Sequence, residues 1–358
     1  MNANPTTVAV AMSGGVDSAV AASLLLEGGY EVLGLWMQLR ATGSLDLDAA
    51  YQDALRAAHV LGIPLTHVNL QLQFERAVVA CFLEEYRSGN TPNPCARCNP
   101  EIKFGALMAK GLELGAERFA TGHYARVTWD SSSERFVLLR GIDRRKDQSY
   151  FLWGLSQGQL ARCVFPNGSL MKKEVLQHAK RRGLPVTERG ESQEICFIPR
   201  GDYRLYIQER LGNNLPSGGE IVDQSGRILG KHRGIFNFTI GQRRRIGIPA
   251  DKPLYVTKID SATNRVVVGQ KEDLSARKLV ARGMNWVSVP DPRGVFRAKG
   301  KIRYRHSETP CTVVPCGNDT VEVRFDEPQE AITPGQALVL YDGPVLLGGG
   351  WIRDVCDE

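Results

Sequence analysis

The chain has 358 residues, with 42% hydrophobic and 23% charged residues, ordinary globular usage that excludes a collagen-like or mainly disordered polymer. That length exceeds what one hydrophobic core usually supports, so two or three domains are expected. Forty-five Lys and Arg against 39 Asp and Glu give a formal charge of +6, which suits a polyanionic partner without requiring one. The apolar run Ala19 to Leu26 stops at Glu27 and Gly28, short of the roughly 20 residues of a membrane span. Met1 to Val10 lacks the basic segment and apolar run of an export signal, so the expected location is the cytoplasm. Eight cysteines in such a chain read as reduced thiols.

In chain order, Val8 to Met12 reads as a strand ending at a glycine turn, Ser18 to Gly28 as a helix, and Glu31 to Met37 as the next strand. Tyr51 to Gly62 follows as a helix and Leu65 to Leu70 as a short strand. Glu101 to Gly115 reads as a further helix, followed by a strand ending at Thr121 and Gly122. This alternation, from Thr7 to about Glu188, predicts an α/β, Rossmann-like parallel sheet whose ligands gather at the carboxyl ends of its strands, where Met12, Met37 and Gly122 fall. From Tyr203 short strands and turn residues predict a small mainly-β central domain, and from Leu279 a C-terminal β-barrel. The expected domains are residues 1–202, 203–273 and 274–358.

Ser13-Gly14-Gly15-Val16-Asp17-Ser18 lies between the first strand and the first helix, where backbone amides and the helix dipole hold phosphate. Glycines admit close approach of the anion, and Ser13 and Ser18 add hydroxyl donors. The Lys of a Walker A loop is missing. SGGVDS resembles instead the PP-loop of the ATP-pyrophosphatases, which cleave ATP between the α- and β-phosphates and adenylate an acceptor. The bland alternative is a tight strand-to-helix turn without a ligand.

Two segments carry further chemistry. Cys95 and Cys98 lie in the Pro-rich, loop-like TPNPCARCN, and Cys196 lies in GESQEICFIP. A useful thiol must be accessible and readily ionised, properties that residue order does not show. Cys81, Cys163, Cys311, Cys316 and Cys356 read as small buried hydrophobes. The Cys95/Cys98 pair stays open to three readings: half of a zinc site that lacks its second half, an iron–sulfur site completed by Cys196, or redox and sulfur-transfer thiols.

Basic clusters at Lys172-Lys173, Lys180-Arg181-Arg182 and Arg243-Arg244-Arg245 are candidates for nucleic-acid phosphate contact, with a solvated face as the alternative. Lys299, Lys301, Arg303 and Arg305, if on one strand, would form a single positive stripe. His123 would lie beside the phosphate loop in a structural or a catalytic role.

Together AMSGGVDSAV, TPNPCARCNPEIKF, TGHYARV, KDQSYFLWGL, ESQEICFIP, FTIGQRRRIGI and IRYRH resemble the bacterial tRNA-specific 2-thiouridylases of the MnmA type. That resemblance implies ATP-dependent, Mg²⁺-assisted 2-thiolation of the wobble uridine of tRNA Lys, Glu and Gln, with persulfide sulfur from a cysteine desulfurase or relay protein. It implies an ATP site of Ala11, Met12, Ser13, Gly14, Gly15, Val16, Asp17, Ser18, Met37 and Gly122. Cys98 matches the nucleophile and Cys196 the persulfide carrier. Asn93-Pro94-Cys95 match the target-base contact, and Lys146-Asp147-Gln148 with Arg303-Tyr304 the tRNA contacts. Cys95 departs from the Asp familiar at that position, which keeps the iron–sulfur reading open. Another PP-loop ligase would need no cysteine pair, and a nucleotide-binding or iron–sulfur RNA sensor would release no AMP or pyrophosphate.

Overall fold

Val8, Ala9 and Val10 are wholly buried, the mark of a parallel strand covered on both faces. They form the centre of β1 (Thr7–Ala11), and a computed structural model of the protein describes residues 5–40, 45–185, 195–198, 201–215 and 217–356 around it. β2 (Glu31–Gln38), β3 (Leu65–Asn69), β4 (Arg118–Ala120) and, after the β5–β6 hairpin described below, β7 (Cys163–Val164) complete a parallel sheet of order β3-β2-β1-β4-β7. Chain order reverses on the two sides of β1, which opens a crevice at its carboxyl end. Helix α1 (Val16–Glu27) buries Ala19, Val20, Ala22 and Leu25 on one face, beside α2 (Leu45–Leu61). The other face packs Ala9, Leu35 and Phe119 against Phe104 and Leu107.

Two helical segments differ from expectation. Gln71–Phe74, Glu75–Val79 and Ala80–Arg87 form one helix with a π-helical middle, absent from the reading above, which buries Phe74, Val78, Phe82 and Tyr86 at four-residue spacing. The expected helix from Glu101 begins earlier: Pro94–Cys98 is α-helical, Asn99–Leu107 π-helical and Met108–Glu113 α-helical. The TPNPCARCN segment therefore carries its cysteines on a helix rather than a loop. Asn93 Oδ1 accepts from Ala96 N at 3.2 Å and Pro94 takes the first helical position, so the prolines start the helix.

β5 (Ala125–Asp130) and β6 (Arg135–Arg140) form a hairpin that leaves the parallel sheet and joins the C-terminal one. The central domain begins with a helix, Tyr203–Leu211, before β8 (Gly219–Val222), β9 (Ile228–His232), β10 (Tyr255–Asp260) and β11 (Arg265–Gly269). These four strands enclose Ile221, Val256, Val266 and Val268. β12 (Ser275–Trp286), β13 (Phe296–Lys301), β14 (Thr309–Gly317), β15 (Thr320–Glu330), β16 (Ala337–Asp342) and β17 (Val345–Cys356) form an antiparallel sheet. Its order is β12-β15-β14-β13-β16-β17, and pairing of β12 with β17 closes it into a six-stranded barrel. Because β13 ends at Lys301, Arg303 and Arg305 sit in the following turn, and the expected four-residue stripe does not form. No helix among the described residues is long and apolar enough to cross a membrane.

Candidate active site

The phosphate loop caps α1 from the end of β1. Gly14 has φ +82°, and a side chain there would collide with the Ala50 carbonyl of α2, so glycine is required twice over. Ser13 N donates to Ser18 Oγ at 3.2 Å, Gly15 N to Ser13 Oγ at 3.3 Å, and Ser18 Oγ to the Gly15 carbonyl at 2.8 Å. These bonds hold the loop curled, while no side chain caps the first turn of α1. Its amides face the crevice with the positive end of the helix dipole, a cradle that fits a polyphosphate. Met12 is buried under the loop, and Ala11 and Met37 are half-buried at the strand ends.

Gly122 closes the cradle from β4. A Cβ on it would lie 2.7 Å from the Asp17 carbonyl carbon and 2.8 Å from Ser18 N. Asn167 Nδ2 ties the two segments, donating to the Asp17 carbonyl at 2.8 Å and the Gly122 carbonyl at 3.2 Å. The Asp17 carboxylate accepts from Tyr124 Oη at 2.7 Å and Lys172 Nζ at 2.6 Å. Lys172, read above within a basic cluster, is thus an ion-pair partner of the loop. Asn167 and Tyr124 escaped the sequence reading, since single polar residues far apart in the chain carry no pattern. His123 is buried, with Nδ1 2.7 Å from Thr121 Oγ1. Burial and then Lys103 hold its imidazole well below its usual range, which favours the neutral ring.

The thiols converge on the same region. Cys98 is 7% exposed, whereas Cys95 and Cys196 are exposed as whole residues with their thiols still largely surrounded by protein atoms. Each of the three is raised above the ordinary thiol value chiefly by desolvation, Cys98 to about 12, and each is drawn back by the Lys103 ammonium. Cys98 feels both Cys95 and Cys196, and Arg40 also favours ionisation of Cys196. Lys103 is therefore the cation common to the three thiols and His123. It follows Cys98 by five residues on the π-helical turn, whose wider winding brings that spacing towards one face. Phe197 anchors Cys196, its ring 5.4 Å from Phe74, 5.3 Å from Phe82 and 5.5 Å from Tyr206. Gly190 to Glu194 and Pro199, read with Cys196 above, lie outside the described residues.

Among the described residues, no three His, Cys, Asp or Glu side chains are placed to hold a metal ion together. Of the other cysteines, Cys163 and Cys311 are buried as expected, Cys81 is half-buried and Cys316 is exposed at a strand end, contrary to expectation. The Cys356 side chain lies outside the described set.

The residues matched to tRNA contact divide. Lys146 is half-exposed, but Asp147 turns inward, accepting from Gly141 N and Ser149 N at 3.1 Å with Arg140 Nη1 3.6 Å away. Gln148 exchanges hydrogen bonds with the Tyr124 backbone, supporting TGHYA. Asp147 and Gln148 thus shape the loop that presents Lys146. Arg303 donates to the Glu330 carbonyl at 3.0 Å, and Tyr304 packs 4.4 Å from Phe151 beside it in the turn after β13.

Residues 6–200 match the family described as tRNA methyl transferase HUP domain, residues 204–270 its PRC-barrel domain, and residues 276–352 an aminomethyltransferase beta-barrel domain. The tRNA-specific 2-thiouridylase MnmA of Syntrophotalea carbinolica is 51% identical across 96% of this chain and 98% of its own length. The proteins of the same name from Koribacter versatilis and Geobacter metallireducens are 46% and 47% identical, across 97% and 98% of this chain and 98% of each relative. With a family model matched over more than half of its length and relatives alike along nearly their whole length, the chain belongs to the tRNA-specific 2-thiouridylase family.

Proposed function

We propose that the protein is a tRNA-uridine 2-sulfurtransferase that activates the wobble uridine of tRNA Lys, Glu and Gln with ATP and replaces its 2-oxygen by sulfur. What supports this reading is the Gly14–Ser18 loop at the end of β1, met by Gly122 and tied to it by Asn167, in a chain 51% identical to a tRNA-specific 2-thiouridylase along nearly its whole length, with the Lys103 charge acting on both Cys98 and Cys196. The amides of the first turn of α1, with Ser13 and Ser18, hold the phosphates of ATP delivered as its Mg²⁺ complex. Uridine O2 attacks the α-phosphorus and pyrophosphate leaves, turning a poor leaving group into AMP.

Sulfur arrives as a persulfide on Cys196, loaded by a cysteine desulfurase or a relay protein. Its terminal sulfur attacks C2 and expels AMP, and Cys98 thiolate then attacks the Cys196 Sγ, releasing the thiolated base and closing a Cys98–Cys196 disulfide. In the other order, Cys98 first displaces hydrosulfide, which attacks C2. Both orders consume one persulfide and end in the same disulfide, which an external dithiol reduces. Asn93, Pro94 and Cys95 lie on the target-base side, and Lys146 with Arg303 and Tyr304 supply RNA contacts.

A single turnover without reductant is the test, with the disulfide located by peptide mass mapping. A Cys98–Cys196 bridge formed in step with thiolation supports the reading. Thiolation by a Cys98→Ser protein supplied with persulfide removes it and leaves a ligase that needs no cysteine pair.

A further inference from the structure

Tyr150 is wholly buried, and its hydroxyl nonetheless joins two parts of the molecule. It donates to the Ala337 carbonyl at 2.9 Å, at the start of β16, and its oxygen lies against the Asn93 side chain. Asn93 uses Oδ1 to cap the helix that bears Cys95 and Cys98, which leaves its Nδ2 group to reach Tyr150. On the opposite side the Tyr150 ring lies 6.1 Å from Tyr304, and Lys301 Nζ stands 5.7 Å over Tyr150 and 5.5 Å over Tyr304.

The backbone just ahead of Asn93 is gripped from the same barrel turn. Thr91 N donates to the Pro334 carbonyl at 2.9 Å, and Gln336 Nε2 donates to the carbonyls of Thr91 at 2.9 Å and Pro92 at 3.3 Å. Gly335 lies so close that a Cβ on it would stand 2.9 Å from the Thr91 carbonyl oxygen. The segment leading into the Cys98 helix is therefore clamped to the barrel by three successive residues and by one buried hydroxyl. Buried polar groups bonded in series behave as a unit, since leaving any one unmet is unfavourable.

We propose that Tyr150 is a positioning residue that couples tRNA engagement at Arg303 and Tyr304 to the placement of Cys98. Through Asn93 it sets the first turn of the cysteine-bearing helix, and through Ala337, Lys301 and Tyr304 it ties that turn to the barrel. This inference rests on Cys98 as the nucleophile and on Arg303 and Tyr304 as a tRNA contact. Intermediate position alone does not establish coupling, so the test is a mutant cycle.

Tyr150→Phe removes only the hydroxyl and keeps the ring in its pocket. In the full-length protein with unmodified tRNA, ATP and a persulfide donor, the single-turnover thiolation rate is expected to fall about tenfold, with tRNA affinity retained and a melting temperature lowered by the one buried carbonyl left unmet. Alkylation of Cys98 in the free protein is expected to quicken. Asn93→Ala is expected to quicken it too, and the double variant to match Asn93→Ala alone, because both changes break one link. A wild-type rate in Tyr150→Phe, or effects on alkylation that add in the double variant, overturns the proposal. Should Tyr150→Phe fold poorly, Gln336→Ala tests the same clamp: slowed sulfur transfer with retained tRNA affinity supports it, and a wild-type rate overturns it. Thiolation by Cys98→Ser would remove the underlying reading instead, whereas Cys98-dependent turnover indifferent to Tyr150→Phe and Gln336→Ala removes this inference only.

Discussion

The Lys172 ammonium stands 2.6 Å from Asp17 Oδ1, at the first turn of α1 and far from it in sequence. An acidic residue beside a phosphate cradle would repel ATP were its charge not matched, and Lys172 together with the Tyr124 hydroxyl matches it. Lys172→Met is therefore expected to weaken ATP binding about tenfold, with Lys172→Arg recovering part of the loss, as read by calorimetry with a non-hydrolysable ATP analogue. Unchanged affinity in Lys172→Met would show that Asp17 does not face the phosphates.

Gly122 has no room for a methyl group, since its Cβ would press on the Asp17 and Ser18 backbone that the Asn167 amide locks in place. Gly122→Ala is expected to cost about 1–3 kcal/mol of stability and to lower ATP affinity as well. Thermal unfolding with and without ATP measures both. A variant that melts and binds like the parent contradicts the close approach of β4 to the loop.

Burial pushes the Cys98 thiol up to about 12 against an ordinary 9.0, and Lys103 opposes the rise. The folded state thus favours the neutral thiol. The stability this group contributes is whole below 9.0 and is lost as pH climbs towards about 12, because the unfolded chain releases its proton first. Alkylation of Cys98 in the free protein is expected to be slow near neutral pH and to accelerate only in that upper window. Lys103→Gln should push the onset higher and slow sulfur transfer, and Lys103→Arg should restore both. A Cys98 that alkylates at neutral pH as fast as an unhindered thiol contradicts this picture.

Local pattern was enough for the parallel sheet, the glycine loop and the barrel. Val8 to Val10 announce a strand buried on both faces, and the Gly14-Gly15 pair its turn, because those residues report on their own backbone. What escaped depends on geometry that residue pattern does not report. The inward turn of Asp147, matched by resemblance to a tRNA contact, is set by Gly141, Ser149 and Arg140. The Lys299 to Arg305 alternation assumed a strand that ends at Lys301. Cys95 and Cys98 looked loop-borne because prolines read as breakers, although Pro94 after an Asn cap is a helix start. Lys103 was visible in the chain, but its role rests on Cys196, which only the fold brings near.

One measurement tests this chemistry most directly: mass analysis of tRNA nucleosides after incubating the protein anaerobically with unmodified tRNA, ATP, Mg²⁺ and a persulfide donor, with AMP and pyrophosphate quantified alongside. Wild-type protein is expected to form 2-thiouridine in the anticodon with matching AMP and pyrophosphate, and the Cys98→Ser and Cys196→Ser proteins are expected to form none. Thiolated tRNA without AMP release, or 2-thiouridine made by either serine variant, would contradict it.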